Sequence, residues 1–170
     1  GRCLMIIATH GAAAVVVGQL INKKFDGNKH LGYKDIAGMF LAGILPDIPL
    51  SIWMALGQFD PSRDYHHRWI THTPFFWLLF STIVYFLISK KFAGIISLGA
   101  LLHLSMDWYG GADGIPFLFP FSAQQFGVLV TGINGLEGFT KYITNPIFLS
   151  IEITVNTIFV LYMIKNIQTW

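Results

Sequence analysis

The chain alternates long apolar runs with short polar breaks. Five runs stand out, at roughly Met5–Ile21, Ile36–Leu56, Ile70–Ile88, Phe92–Trp108 and Ile147–Ile164. Each is too long for a strand and none alternates with period two, so all five are predicted to be helices. Crossing the hydrocarbon core takes about 20 apolar residues, with latitude for tilt and mismatch. The expected fold is therefore all-α, an integral membrane bundle of about five transmembrane helices forming a single domain over residues 1–170. The first run carries His10 and is followed by no small-residue cleavage site, so it reads as a retained helix rather than a signal peptide.

The polar breaks differ in kind. The first, from Asn22 to Asp35, holds Lys23, Lys24, Lys29 and Lys34; the second, from Gln58 to Trp69, gathers Asp60, Arg63, Asp64, His66, His67 and Arg68. The third is little more than Lys90-Lys91, which predicts a tight antiparallel hairpin. The fourth, Tyr109 to Pro146, is long, with Gly110-Gly111 and the run Pro116-Phe117-Leu118-Phe119-Pro120-Phe121. Its prolines exclude a regular helix, while its phenylalanines suit a partly interfacial segment.

Composition sharpens the membrane reading. Hydrophobic residues make up 54% and charged residues 12% of the chain, against about 25% charged in a typical soluble domain. A formal charge of +2 gives no basis for nucleic-acid binding. Cys3 is the only cysteine, so an internal disulfide and a thiolate metal cage are both impossible. With five crossings, one side of the bilayer would hold Lys23, Lys24, Lys29, Lys34, Lys90, Lys91 and Lys165, and the other Arg2, Arg63, Arg68 and Lys141. The lysine excess marks the cytoplasmic side. The N-terminus and the second and fourth breaks then face outward.

Against this background the ionisable residues inside the runs stand out. At 1.5 Å per residue, Asp47 lies about 18 Å above the start of its run, and His103 rises to nearly the same level, with Asp107 about 6 Å higher. His10 lies roughly 8 Å below the outer end of the first run, and His67 and His72 sit at the outer mouth of the third. Four of the five runs thus bring imidazole or carboxylate to the outer leaflet. A charged aspartate in a membrane helix costs a few kcal/mol and needs a partner. Two aspartates beside several histidines compensate one another best by sharing a cation. His103 and Asp107 are four apart and share a helix face. Nitrogen and oxygen donors without sulfur suit Zn²⁺ first, then Mn²⁺ or Fe²⁺.

Each residue also has a plainer reading. Any single histidine here could be a hydrogen-bonding helix contact, His30 a surface residue and His66 a bystander. Asp47, in Leu45-Pro46-Asp47-Ile48-Pro49, could cap the helix segment after a proline break. Glu152, about 8–9 Å down the last run, could be a ligand, a general base or a partner for Arg68, or could simply bond Asn156 one turn on and join helices.

The ordered pieces Thr9-His10, Leu45-Pro46-Asp47, His67-Arg68-Trp69-Ile70-Thr71-His72-Thr73 and His103-Leu104-Ser105-Met106-Asp107, then Gly114 to Ser122, Thr131-Gly132 and Glu137, cover nearly the whole chain. In these the sequence resembles the LexA-regulated, inner-membrane-associated family of metal-dependent hydrolases. That resemblance implies His10, Asp47, His67, His72, His103 and Asp107 as metal-site residues. Their order is also distantly similar to part of the zinc-dependent bacterial phospholipase C pattern. Two departures bear on the metal count. Ile48-Pro49-Leu50 stands where the family often has a second aspartate and a histidine, and no histidine follows His103. One metal ion or two are expected, not a three-metal cluster.

The leading expectation is a membrane-embedded hydrolase of the inner membrane. It would use a divalent metal, Zn²⁺ foremost, on a phosphoester or other ester of a lipid or lipid-linked substrate at the outer leaflet. Asp47, His72, His103 and Asp107 are the first-choice ligands, with His10 and His67 behind them. Arg68 would steady an anionic group through its planar fork, Glu152 would be the second catalytic residue, as a general base, and the Phe117–Phe121 ridge would admit an acyl chain. A metal-ion or proton transporter is the first alternative, although such sites lie near the midplane between repeats and no repeat is visible here. A non-catalytic structural membrane protein is the second. No feature of the sequence speaks to oligomeric state.

Overall fold

A computed structural model describes residues 2–25, 31–58, 66–110, 114–128, 140–141 and 144–166. The elements are α1 (Arg2–Phe25), α2 (Tyr33–Ile44), a 3₁₀ turn at Leu45–Asp47, α3 (Ile48–Ala55), 3₁₀ turns at His66–Arg68 and Ile70–His72, α4 (Pro74–Leu87), α5 (Lys90–Gly110) and α6 (Pro146–Asn166). Among the described residues there is no strand, only an isolated antiparallel bridge between Ile115 and Phe126. Lys29, His30, Arg63, Gly111, Thr131-Gly132 and Glu137 lie outside the described residues, as does the side chain of His66.

The all-helical expectation holds, with two internal corrections. The second run is not one helix. Pro46 lacks an N–H and its ring crowds the preceding turn, so α2 stops at Ile44 and the chain tightens into a 3₁₀ turn before α3 begins with Pro49 in its first turn. The third helix begins at Pro74, not at Ile70. Thr73 caps it, its hydroxyl accepting from the Phe76 amide at 3.3 Å, and Pro74 occupies a first-turn position where its missing N–H costs nothing. The link between α4 and α5 is Ile88-Ser89; Lys90 and Lys91 already belong to α5, which Ser89 caps through the Phe92 amide at 3.1 Å.

Among the described residues, two segments could cross a membrane by length and composition: Tyr33–Ala55, which is α2 and α3 joined, and Pro146–Lys165. Helix α4 is shorter, at 14 residues, or about 21 Å. The longer α1 and α5 carry the buried polar side chains described below. Exposed apolar surface shows on α4 and α6, where Leu78, Phe86, Leu87, Ile147 and Ile164 are all more than 60% exposed.

Helices α1, α2 and α5 pack backbone to backbone. A Cβ on Gly43 would lie 2.6 Å from the His10 carbonyl oxygen, and one on Gly99 would lie 2.5 Å from Ala42 Cβ. Such small-residue seams are how membrane helices associate without a hydrophobic drive between them. Trp77, Val84, Ile96, Ala100 and Leu104 join α4 to α5, with Ile115 folded back onto them. Phe40 and Phe159 stack at 5.7 Å where α6 meets the bundle. One end of the bundle is fixed by Lys91 Nζ on Asp35 Oδ1 at 2.7 Å, by the Leu31 amide donating to Gln19 Oε1 at 3.0 Å, and by the Tyr162 hydroxyl donating to the same oxygen at 2.9 Å. The lysine-rich ends of α1, α2, α5 and α6 therefore lie together, as the alternating topology requires.

After α5 the chain turns back. Ile115 and Phe126 exchange backbone hydrogen bonds of 2.9 and 2.8 Å, and the Val128 amide donates to the Trp108 carbonyl. The turns between them present Phe117, Leu118 and Phe121 outward, Phe121 being 91% exposed.

Candidate metal centre

Each site residue is delivered by an element that sequence-local forces put in place. Helix α1 carries His10. The proline-induced turn carries Asp47, whose backbone carbonyl accepts from Ser51 Oγ at 3.1 Å. The 3₁₀ turns supply His67 and His72. The second of these is pinned by Thr73 Oγ1 donating to the Ile70 carbonyl at 2.7 Å and by the Trp77 indole donating to the Thr71 carbonyl at 2.6 Å. His103 and Asp107 project from one face of α5. All six are buried, and His72 and His103 have no exposed surface.

They meet. His72 Nε2 lies 3.2 Å from Asp47 Oδ1 and 3.6 Å from Asp107 Oδ2. His103 Nε2 lies 3.7 Å from Asp47 Oδ1 and 3.0 Å from Asp107 Oδ2. These four atoms alternate oxygen and nitrogen around a ring. A tetrahedral ion with bonds of about 2.0–2.1 Å sets its ligands about 3.3–3.4 Å apart. The four measured oxygen–nitrogen distances bracket that value. Beyond the ring, His10 Nδ1 is 3.6 Å from Asp47 Oδ2 and His10 Nε2 is 3.5 Å from Asp107 Oδ1. His67 Nε2 is 3.8 Å from the same Asp107 oxygen. Three overlapping triads, His10–His103–Asp107, Asp47–His72–His103 and His67–His72–Asp107, each bring their ligand atoms within 4.8 Å of one another.

The backbone contact of His103 limits what its other ring nitrogen can do. Its Nδ1 lies 2.7 Å from the Gly43 carbonyl oxygen. A carbonyl only accepts, so Nδ1 carries a proton, and in the neutral ring Nε2 presents a lone pair to two carboxylates. A lone pair 3.0 Å from a carboxylate oxygen is repulsive unless a cation or a proton lies between them. His103 Nε2, Asp107 Oδ2 and His10 Nδ1 are buried without a hydrogen-bond partner. The 3.0 Å approach thus lacks the alignment of a hydrogen bond. A histidine ligand whose other nitrogen donates to a backbone carbonyl is the usual outer support of a metal site. The residues fit a divalent ion held by nitrogen and oxygen.

Two plainer readings receive answers. Asp47 precedes α3, yet its side chain makes no capping hydrogen bond there; the carboxylate faces the histidines instead. Asn156 does bond Glu152, through the Glu152 backbone carbonyl at 2.9 Å, and the same amide donates to Thr9 Oγ1 at 2.7 Å. Glu152 is buried on α6 and belongs to none of the three triads. Arg68 is exposed at the rim beside His67, its Nε donating to Gln125 Oε1 at 3.1 Å. Sequence reasoning missed Gly43 and Gln125. Gly99, one turn before His103 on the same face of α5, was the available hint of a close approach near that histidine.

The model of the family described as YdjM inner membrane protein matches residues 5–167. The chain belongs to that family. Comparison with the curated proteins and with the solved structures returns no match. The YdjM match spans every residue of the cluster, and membership of an inner membrane protein family agrees with the two long apolar helical segments among the described residues and the exposed apolar surfaces of α4 and α6. This is a membrane protein, and its buried histidines and aspartates could hold a metal ion.

Proposed function

We propose that this chain is a metal-dependent hydrolase of the inner membrane, acting on a phosphoester or other ester of a lipid or lipid-linked substrate. The observation that carries the reading is the ring of Asp47, His72, His103 and Asp107, with His103 Nδ1 held by Gly43 so that Nε2 faces the carboxylates. A divalent ion, Zn²⁺ foremost, would supply Lewis acidity toward a carbonyl or phosphoryl oxygen and lower the pKa of water toward neutrality. The chain's own residues do the rest. Asp47 and Asp107 supply the compensating charge, and the buried walls of α1, α2 and α5 exclude bulk water. Arg68, at the rim, orients an anionic headgroup, and the exposed Phe117, Leu118 and Phe121 receive the acyl chain. Glu152 is assigned the general base; Glu152→Gln should then lower turnover without lowering metal content.

In the same reading α1, α2–α3, α4, α5 and α6 each cross the bilayer, and the lysine-rich end faces the cytoplasm. The site then opens outward, and reporter fusions at each terminus test this. The decisive experiment is metal analysis of protein purified in detergent, followed by hydrolysis of a panel of lipid phosphoesters and esters. Stoichiometric metal lost in His103→Ala, together with activity on the panel, is the expected result. Metal with no activity across the panel rejects the hydrolase; absence of metal rejects the centre itself.

A further inference from the structure

We infer that the cluster holds two cations bridged by Asp107, and that the second, held by His10 and His67, is the one open to substrate. The inference rests on the metal-centre reading above and extends it. Filling the ring uses Asp47 Oδ1, His72 Nε2, His103 Nε2 and Asp107 Oδ2, four protein donors, the number a structural ion takes. The other Asp107 oxygen, Oδ1, is left facing two imidazoles that the ring does not use: His10 Nε2 at 3.5 Å and His67 Nε2 at 3.8 Å. His10 presents Nδ1 to Asp47 Oδ2 at 3.6 Å as well. A neutral ring keeps one N–H, so His10 offers one ligand atom and one donor. His10 Nδ1 is buried without a hydrogen-bond partner, which marks an unmet requirement on this side of the cluster too.

The two positions differ in kind. The first has four protein donors, and its two histidines, His72 and His103, have no exposed surface. The second has three protein ligands, His10, His67 and Asp107, the pattern of a site that keeps a position for solvent or substrate. It also lies on the rim side: His67 is 9% exposed, His72 and His103 not at all, and Arg68 follows His67 directly at the surface.

Charge assigns the ligand class. Asp47 and Asp107 neutralise one divalent cation, so a second leaves an excess of positive charge that Glu152, the assigned base, lessens but does not cancel. That excess favours an anionic oxygen ligand, such as a phosphate group, over a neutral carbonyl. Binding of the second ion and of phosphate must then be reciprocal, each tightening the other by the same factor.

The test is metal stoichiometry and Mn²⁺ electron paramagnetic resonance on the full chain in detergent, with Zn²⁺ or Mn²⁺ titrated in the presence and absence of inorganic phosphate. Wild type should take up two ions, the second weaker and tightened at least several-fold by phosphate, with a spin-coupled Mn²⁺ signal at saturation. His67→Ala should retain the tight ion and lose the weak one together with the coupling; His103→Ala should lose the tight one. Folding of each variant is checked by gel filtration. Saturation of wild type at one ion with phosphate present, or two coupled ions persisting in His67→Ala, overturns the inference while leaving a one-ion centre standing. Failure of wild type to bind any ion overturns both.

Discussion

Replacing Gly43 with alanine should damage the metal centre although residue 43 offers no side chain to it. A Cβ at this position would lie 2.6 Å from the His10 carbonyl oxygen, 2.9 Å from Gly11 Cα and 3.0 Å from Ala14 Cβ. All three obstacles belong to α1, and two are backbone, so no rotamer change relieves them. Ordinary contact begins at 3.4 Å, so α1 and α2 must separate by about 0.8 Å at His10, several times the roughly 0.2 Å tolerance of a metal–ligand distance. The same movement displaces the Gly43 carbonyl that holds His103 Nδ1. Overpacking of this kind costs about 1–3 kcal/mol of stability, and loss of an outer support lowers metal affinity roughly 10- to 100-fold.

Gly94→Ala is the matched control. Nothing lies within 4 Å of a Cβ there, and alanine in a helix interior is favoured over glycine by roughly 0.5–1 kcal/mol. The assay is chelator competition for Zn²⁺, with thermal unfolding measured with and without the ion. Gly43→Ala should lose affinity and show a smaller metal-induced rise in melting temperature, while Gly94→Ala should match wild type. Equal affinity and equal unfolding in the two variants would refute the claim that the α1–α2 seam sets the site.

Other expectations follow from the same geometry. Acidification should release the metal, because imidazole and carboxylate ligands must be deprotonated to bind and protons compete for them; zinc content after dialysis at stepped pH should fall monotonically as pH is lowered. Thr73→Ala should cost about 0.5–2 kcal/mol through the lost cap and should weaken metal binding as well, since Thr73 Oγ1 also pins the turn that carries His72; an unfolding curve and a zinc titration read the two effects separately. Gln125→Ala should leave metal content unchanged but speed hydrogen exchange at the Ile115 and Phe126 amides, because it frees Arg68 Nε from the returning loop. Lys91→Met should change stability by less than about 1 kcal/mol, because an exposed ion pair contributes little.

The helical class was legible because apolar runs of this length have no other reading, and the cluster was legible because six ionisable residues in an apolar background are conspicuous. What escaped has identifiable causes. The break after Ile44 was signalled by Pro46 and Pro49, but the continuous apolar run around them reads as one span until the backbone geometry is seen. The start of α4 was written in Thr73-Pro74, a cap followed by a proline, and was masked by the apolar Ile70 upstream. Gly43 could not be found by side-chain chemistry, since its contribution is a carbonyl. The Arg68–Gln125 contact joins residues 57 apart in sequence, and no local pattern encodes it.

The seam and the site are one feature. Apolar surface gives membrane helices little reason to prefer one another over lipid, so close backbone approach and polar contacts must provide it. Gly43 and Gly99 allow that approach, and it brings the His10 and His103 ring centroids to 4.1 Å. At that separation, beside two buried carboxylates, the cluster is costly as bare charge, since removing one partner of a buried ion pair leaves the other uncompensated. In the proposed metal-bound form the cation offsets this cost and ties α1, the Leu45–Asp47 turn, the Ile70–His72 turn and α5 to a common point. Metal binding and assembly of the bundle are then thermodynamically coupled. The metal-free chain should open first where α1 meets α2, so hydrogen exchange on removing the ion should rise around His10 and Gly43 before it rises in α4, whose apolar packing against α5 needs no metal.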